Sequence, residues 1–161
     1  MSRTREHTYD VTVTWTGNTG AGTAGYRDYA RDIDTSAPGK ATRLPASADP
    51  FFLGDAERWN PEDLLVAALA QCHMLSYLAA CSLKKVVVTA YEDTARGTMA
   101  EAAGVGGGFT GVVLRPVVTV ADASMVEAAT ALHEDAHRKC FIANSVNFPV
   151  RHEPEIRVAG D

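Results

Sequence analysis

An apolar stretch in the first half of the chain limits the possible folds more than any other feature. From residue 64 to residue 83 the sequence is almost wholly Leu, Ala, Val, Met, Tyr and Cys. Residues 60–63 (Asn-Pro-Glu-Asp) are typical of a helix start, because Asn is a favoured N-cap, Pro suits the first helical position and acids complement the positive helix end. We therefore predict one helix that extends to Leu83, followed by Lys84 and Lys85 at its C-terminal end.

A helix that is apolar on every side is buried in a core or an interface. At ~20 residues this helix is about 30 Å long, which is enough to cross a small domain completely. The chain has 161 residues, and we predict that residues 1–161 form a single domain. Such a domain has little material left to wrap the helix, so we infer that a partner subunit helps to cover it.

Alternating or apolar segments typical of strands occupy much of the remaining chain. They are residues 9–15, 26–33, 86–99, 109–120 and 150–158. Arg27 and Arg31 fall on one face of the second predicted strand, and the glycines at 104–108 predict a hairpin turn. Residues 35–59 carry three prolines and predict an irregular excursion, which often belongs to a binding surface.

A second helix is predicted after Asp122 and Ser124, both of which can cap it. Apolar residues then recur at helical spacing, and the pattern ends near Cys140. Together these elements predict an α+β fold with antiparallel strands and two main helices.

The charge pattern narrows the possible partners. The formal net charge is −5, from 15 basic and 20 acidic residues, and no basic stripe of the kind that nucleic acid requires is visible. Residues 1–7 are charged and lack the apolar stretch of a signal peptide. No run is expected to provide the ~18 apolar residues of a membrane span. We therefore expect a cytoplasmic protein with neither a nucleic-acid nor a membrane partner.

Three cysteines in such a protein argue against a structural disulfide framework. Cys72 and Cys81 lie nine residues apart on the predicted helix, so about 13 Å separates them along its axis. A disulfide needs Cα atoms within ~7 Å, which excludes this pair while the helix is intact. Any intrachain disulfide must join Cys140 to one of the other two, and spacing alone does not choose between them.

A reactive thiol at Cys72 would need a cation near it. The thiolate is the nucleophile, and Cys72 lies about three turns inside its helix, too far from the N-terminus for the dipole to ionise it. Candidates for the cation are Arg27, Arg31, Arg58 and His73.

Glu62 precedes Cys72 by ten residues, or about 15 Å along one helix, so the two side chains cannot touch within one subunit's helix. A shared role would require the Glu62 of a second subunit. The alternative is that Glu62 only complements the helix dipole.

Residues 133–137 match H-E-x-x-H, in which two histidines bind zinc and the glutamate acts as a base. The motif is short, Asp135 places a charge inside it, and no third ligand is obvious. A zinc hydrolase that uses His133 and His137 is therefore a remote alternative to the polar face of an amphipathic helix, and we expect no bound metal or cofactor.

Two motifs resemble a known family, the osmotically inducible protein C and organic hydroperoxide resistance proteins (OsmC/Ohr). The first is Asn-Pro-Glu-Asp-Leu-Leu at 60–65 followed by Ala-Ala-Leu-Ala-Gln-Cys at 67–72. The second is Ala-His-Arg-Lys-Cys at 136–140 followed by Ile-Ala-Asn-Ser at 142–145. The separation of the two cysteines, 140 − 72 = 68 positions, is close to the spacing that is usual in the family, and the resemblance covers nearly the whole chain.

The resemblance implies an intertwined homodimer with two long central helices packed against antiparallel sheets. It implies that Cys72 is the thiolate that attacks a hydroperoxide and becomes a sulfenic acid, and that Cys140 then forms a disulfide with it. An external dithiol would reduce this disulfide. Glu62 would pair with an arginine that activates Cys72, for which Arg31 and Arg27 are our candidates, and Cys81 would be a buried bystander.

The sequence departs from the family pattern in two places. Phe51, Phe52 and Leu53 stand where a relative might carry a cation, and Phe141 stands where the best-known members have proline. The first departure keeps open a non-enzymatic alternative, a redox-sensing or binding protein on the same fold. Phe51, Phe52, Phe141 and Met74 either line an apolar pocket suited to organic hydroperoxides or belong to the core.

Overall fold

The computed structural model describes residues 4–160. Within them the chain forms two compact units, one made of the residues up to Leu64 and the other of the residues from Leu65 onward. The single domain over 1–161 stays a prediction.

The first unit is built on a three-stranded antiparallel sheet in the order β1-β2-β3. Its strands are β1 (Thr12–Trp15), β2 (Ile33–Ser36) and β3 (Leu44–Ala46). A 3-10 helix, Pro50–Phe52, follows and is capped by the side chain of Asp49. The excursion predicted at 35–59 is therefore irregular only in part.

The strand predicted at 26–33 is wrong except at Ile33, where β2 begins. The backbone turns instead: the Asp28 amide donates to the Gly25 carbonyl at 3.0 Å. The guanidinium of Arg31 donates to the carbonyl oxygens of Tyr29 and Tyr26 at 2.6 and 2.5 Å, which holds this turn closed. Arg27 and Arg31 therefore do not share a strand face.

The first helix forms as predicted, over α1 (Pro61–Leu83). The buried side chain of Asn60 accepts a hydrogen bond from the Asp63 amide at 2.7 Å, which satisfies one of the unpaired donors of the first turn. Lys85 adopts a left-handed conformation with φ 60°, and the Val86 amide donates to the Cys81 carbonyl at 2.9 Å, so the helix ends there.

Only one face of α1 is buried within this chain. The buried residues recur every fourth position, at Leu69, His73, Tyr77 and Cys81. On the other faces, Leu75 is 64% exposed. The sequence predicts that every face of this helix is buried, whereas the single chain buries only one of them.

The expectation that no segment is apolar enough to span a membrane is wrong for α1. An 18-residue window of this helix has a mean hydropathy of 1.7, which meets the length and composition of a span. The long core helix of a globular protein meets the same two criteria, so they do not separate the two cases.

The second unit contains two three-stranded sheets, in the orders β4-β7-β9 and β5-β6-β8. The strands are β4 (Val88–Asp93), β5 (Arg96–Ala102), β6 (Gly106–Leu114), β7 (Pro116–Val120), β8 (Val150–His152) and β9 (Glu155–Val158). β8 pairs with β6 and β9 with β7, and both pairs are parallel rather than antiparallel as predicted.

The two long strands predicted at 86–99 and 109–120 are each broken into two. The first breaks at residues 94–95 and the second at Arg115, whose amide donates to the side chain of Asp93 at 2.7 Å. Pro116 follows and has no amide hydrogen to continue the ladder. The two halves of the hairpin therefore enter different sheets.

The second helix, α2 (Val126–Lys139), follows a 3-10 turn that Asp122 caps. Its buried residues are Ala129, Leu132, His133 and Ala136, and Cys140 is its C-cap, as the sequence predicts. The three apolar ones, Ala129, Leu132 and Ala136, pack with Tyr77 and Cys81 of α1 and with Val118 and Val120 of β7 in the main core cluster.

A pair of buried histidines joins α1 to α2. His73 Nε2 lies 3.1 Å from His133 Nδ1, and the side chains are 0% and 1% exposed. The ring planes differ by 8° and the ring centroids lie 5.4 Å apart, so the two rings are nearly coplanar and meet edge to edge. One turn away, the Tyr77 hydroxyl donates to the Ala129 carbonyl at 3.0 Å, and the Tyr77 ring stacks on His133 at 3.9 Å.

Burial lowers the pKa of His73 to about 4 and that of His133 to about 3. The neighbouring imidazoles lower both values further, His152 and His137 for His73, and His73 and His152 for His133. Both rings are therefore neutral near pH 7, and a single proton joins them.

The N-cap of α1 gives a first test of the fold. Replacing Asn60→Ala removes the acceptor for the Asp63 amide, so we expect the free energy of unfolding to fall by about 1 kcal/mol in urea titrations. Asn147 is exposed, and Asn147→Ala should change stability by less than about 0.5 kcal/mol. Equal effects of the two substitutions would show that the cap contributes nothing.

The histidine pair predicts acid sensitivity. Well above pH 6.5, the ordinary pKa of an imidazole, both rings are neutral in the folded and the unfolded chain, so their contribution to stability is fully present. As the pH falls from 6.5 towards 4 and then 3, the unfolded chain binds protons that the folded chain does not, and this contribution is lost. Urea midpoints should therefore fall between pH 6.5 and 5, before most carboxylates titrate. A midpoint constant over this interval would contradict the assignment.

Candidate active site

The second unit brings Cys72 and Cys140 together from positions 68 residues apart in the chain (140 − 72). Cys72 lies in the middle of α1 and is half-buried, whereas Cys140 follows the last turn of α2 and is 1% exposed. Burial and the neighbouring Cys72 thiol raise the pKa of Cys140 to about 11. The thiols of both cysteines are free.

The turn after α2 fixes the position of Cys140. Its amide donates to the His137 carbonyl at 3.2 Å, and its carbonyl accepts from the Asn144 amide at 3.0 Å. The Ala143 amide points at the Cys140 sulfur at 3.5 Å. Backbone hydrogen bonds from Ala143 and Ile142 oppose the rise in pKa without cancelling it.

The two thiols therefore differ in environment. A thiol with a pKa near 11 is protonated at neutral pH, and a buried sulfur is hard for a substrate to reach. Cys72 has the greater exposure of the two. This asymmetry favours Cys72 as the first nucleophile and Cys140 as the second.

The third cysteine lies in a different part of the core. Cys81 is 1% exposed and packs with Tyr77, Val86 and Val118. Burial raises the pKa of its thiol. Cys72 is nine residues earlier on the same unbroken helix, which keeps the two sulfurs apart.

Apolar residues lie next to both cysteines. Leu69, one turn before Cys72, packs with Val112 and Leu114, and this cluster includes Ile142 and Ala143, which follow Cys140. Phe141 is 78% exposed, so of its two predicted places the core is wrong for the single chain. In the first unit, Phe51 is 78% exposed and packs edge to face on Phe52 with ring centroids 5.2 Å apart.

The acid and the two arginines that are predicted to activate Cys72 all belong to the first unit. Glu62 is half-exposed in the first turn of α1, and within residues 4–160 no ion pair involves it. The Arg31 guanidinium lies over the rings of Tyr26 and Tyr29 at 4.6 and 4.1 Å, in addition to its two backbone hydrogen bonds. Arg27 is exposed. The roles of these three residues stay predictions.

Arg58 is already paired within the first unit. Its guanidinium lies 3.6 Å from the carboxylate of Asp32 and 3.4 Å from that of Asp55. Two carboxylates neutralise its charge locally, which makes Arg58 a weaker candidate for activating a thiol than the sequence alone indicated.

The histidines of the H-E-x-x-H motif do not converge on a metal position. In the part of the chain that the structure describes, no group of three or more His, Cys, Asp or Glu residues is arranged to hold a metal ion. His73 Nε2 and His133 Nδ1 share one hydrogen bond, while the imidazole that packs on His137 is that of His152, with centroids 5.3 Å apart. The zinc alternative is not supported.

Sequence reasoning missed the buried histidine pair. The interpretation of residues 133–137 as a polar surface is wrong for His133, which is 1% exposed. Its helical spacing carried the signal, because His133 lies on the same face as Ala129, Leu132 and Ala136.

The chain was compared with protein families and with solved structures. The model of the family described as OsmC-like protein matches residues 54–155. A search of curated proteins found no match. One similar structure is an OsmC-like protein of unknown function from Vibrio cholerae, which is 30% identical with a TM-score of 0.82 over 92% of this chain and 99% of that one.

Two further structures are similar in fold at lower identity. An organic hydroperoxide resistance protein OsmC from Legionella pneumophila is 17% identical, with a TM-score of 0.67 over 96% of this chain and 99% of that one. An organic hydroperoxide resistance protein from Elizabethkingia anophelis is 18% identical, with a TM-score of 0.67 over 95% and 99%. The α+β fold predicted from the sequence is confirmed by these matches, and the chain belongs to the OsmC-like protein family.

Proposed function

We propose that this chain is a cysteine-based peroxidase that reduces organic hydroperoxides with Cys72 and Cys140. The observation that carries the proposal is that the thiol of Cys140, the C-cap of α2, lies beside the thiol of Cys72 in the middle of α1. Membership of the OsmC-like family supports it, as do the names of the Legionella and Elizabethkingia proteins with the same fold.

The reaction needs two steps at sulfur. In the first, the Cys72 thiolate attacks one oxygen of the O–O bond, the bond breaks, and the departing alkoxide takes a proton to leave as an alcohol. In the second, the Cys140 sulfur attacks the sulfenic sulfur of Cys72, and hydroxide leaves with the Cys140 proton as water. An external dithiol then reduces the disulfide by exchange, which restores both thiols.

Activation of Cys72 is assigned to groups outside the sulfur pair. We propose that Glu62 orients an arginine, Arg31 or Arg27, whose charge favours the Cys72 thiolate. Because Glu62 and Cys72 are ten residues apart on one helix, this role belongs to a homodimer in which a second copy supplies part of the site. The exposed apolar faces of α1, with Leu75 64% and Leu83 83% exposed, are what such a dimer would cover.

A second candidate function is a redox sensor that forms the disulfide once and is not recycled quickly. It is favoured by the contacts of the Arg31 guanidinium, which donates to the carbonyls of Tyr26 and Tyr29 and lies over the Tyr29 ring. These contacts leave the guanidinium fewer free donors. Sustained turnover with a dithiol present excludes this candidate.

The cysteine roles predict three different outcomes in a peroxidase assay with an alkyl hydroperoxide and dithiothreitol. Cys72→Ser should reduce the rate by at least about 1,000-fold, since the nucleophile is lost. Cys140→Ser should still form a sulfenic acid at Cys72 but should form no intrachain disulfide. Cys81→Ser is the matched control, and its rate should equal that of the wild type. Full activity of Cys72→Ser would refute the proposal.

Glu62 and Asp63 provide a test of the site beyond the sulfurs. Both acids lie in the first turn of α1, so both substitutions remove the same dipole interaction, about 0.3–1 kcal/mol. Glu62→Gln should lower kcat/KM for the hydroperoxide by about 10- to 100-fold, because the arginine loses its orienting partner. Asp63→Asn should leave kcat/KM unchanged. Equal losses of kcat/KM in both variants would show that Glu62 only complements the helix dipole.

A further inference from the structure

We propose that the His73–His133 hydrogen bond is a positioning contact, which holds α1 and α2 at the separation that lets Cys140 reach Cys72. This inference rests on the proposed function and concerns its second step, the formation of the disulfide. Among the residues that the structure describes, no hydrogen bond joins either imidazole to a sulfur, so the contact acts through the two helices.

The location of the pair supports this role. His73 directly follows Cys72 on α1, so the contact anchors the helix at the level of the first sulfur. His133 precedes Cys140 by seven residues on α2, which is about two turns, so both residues lie on nearly the same side of that helix. A shift of α2 at His133 is thus carried along a rigid helix to Cys140.

The geometry of the contact is directional. The distance of 3.1 Å, the interplanar angle of 8° and the edge-to-edge rings describe an in-line N–H···N bond, which an apolar contact of the same size would not enforce. The Tyr77 ring, stacked on His133 at 3.9 Å, holds the imidazole plane in place.

The pair is also an unfavourable choice for stability alone. His73 Nδ1 and His133 Nε2 are buried and have no protein hydrogen-bond partner among the residues that the structure describes. Buried polar atoms without a partner cost free energy, and replacing both members of a hydrogen bond with apolar groups is often neutral or stabilising. A contact that leaves two buried atoms unpaired and still fixes a distance is what a positioning role requires.

The surroundings show which other groups act on the pair. His137 of α2 and His152 of β8 face it, together with Tyr77 of α1, and Tyr91 of β4 lies 5.9 Å from Tyr77 between ring centroids. The nearest carboxylate along this network, Glu134, lies 3.7 Å from His152 Nε2 and is 60% exposed. No carboxylate among residues 4–160 forms an ion pair with His73 or His133, which leaves them neutral partners.

The test compares the Cys72–Cys140 disulfide in wild type, His133→Asn and the double variant His73→Leu/His133→Leu. Two quantities are measured: the reduction potential in glutathione or dithiothreitol buffers, and the single-turnover rates of sulfenic acid and disulfide formation. Circular dichroism checks that each variant folds. If His133→Asn prevents folding, the double variant still provides the test.

We expect both variants to form the disulfide with an equilibrium constant at least about tenfold smaller, which is a shift of about 30 mV to a less negative potential. The rate of sulfenic acid formation should stay within about twofold of the wild type, while disulfide formation slows by about tenfold or more. The double variant should show this loss although its stability at pH 7 equals or exceeds that of the wild type.

Tyr77→Phe is the matched control, because it removes the other side-chain hydrogen bond to α2 and keeps the aromatic ring. It should leave the potential unchanged. Unchanged potential and rates in both histidine variants, or an equal shift in Tyr77→Phe, would overturn the proposal. If wild type forms no sulfenic acid, the peroxidase function fails instead, and the potentials still decide the role of the histidines.

Discussion

The packing of one face of α1 against α2 and β7 is the contact on which the second unit depends. Tyr77 and Cys81 from α1 meet Ala129, Leu132 and Ala136 from α2 in one core cluster. β7 completes it with Val118 and Val120, which alternate along the strand as a half-buried strand requires. Each of these elements buries its apolar side only because the other two are present, so the position of α2 is set by this cluster.

The same contact explains why the two cysteines meet. Cys72 lies beside the buried stripe of α1, and α2 ends at Cys140, so the packing of the helices determines the distance between the sulfurs. The turn after α2 then supplies backbone amides around Cys140. The core encloses Cys140 and leaves Cys72 partly open, and the proposed function builds on this difference by giving the attack on the substrate to Cys72.

Local signals in the sequence were sufficient for some of this structure. Asn60 and Pro61 mark the start of α1 because capping depends on residues that are adjacent in the chain. The helical spacing before Cys140 likewise predicted where α2 ends. Spacing excluded a disulfide between Cys72 and Cys81, and the family motifs then selected Cys72 instead of Cys81 as the partner of Cys140.

Other features depended on contacts between distant residues and were missed. The strand-like composition at 86–99 and 109–120 continues across both strand breaks, and the Arg115–Asp93 contact shows where the hairpin divides between two sheets. The segment 26–33 has a strand-like composition, but the Arg31 side chain closes it into a turn. His133 was assigned to the surface by residue type, although a histidine from α1 makes its burial possible.

The central claim is that Cys72 and Cys140 form one redox pair, and peptide mapping after oxidation tests it most directly. The reduced protein is treated with one equivalent of an alkyl hydroperoxide, remaining thiols are alkylated, and the digest is analysed by mass spectrometry. The account predicts a single disulfide that joins the peptides of Cys72 and Cys140, with Cys81 alkylated. A disulfide that includes Cys81, or three alkylated cysteines after the peroxide is consumed, would contradict it.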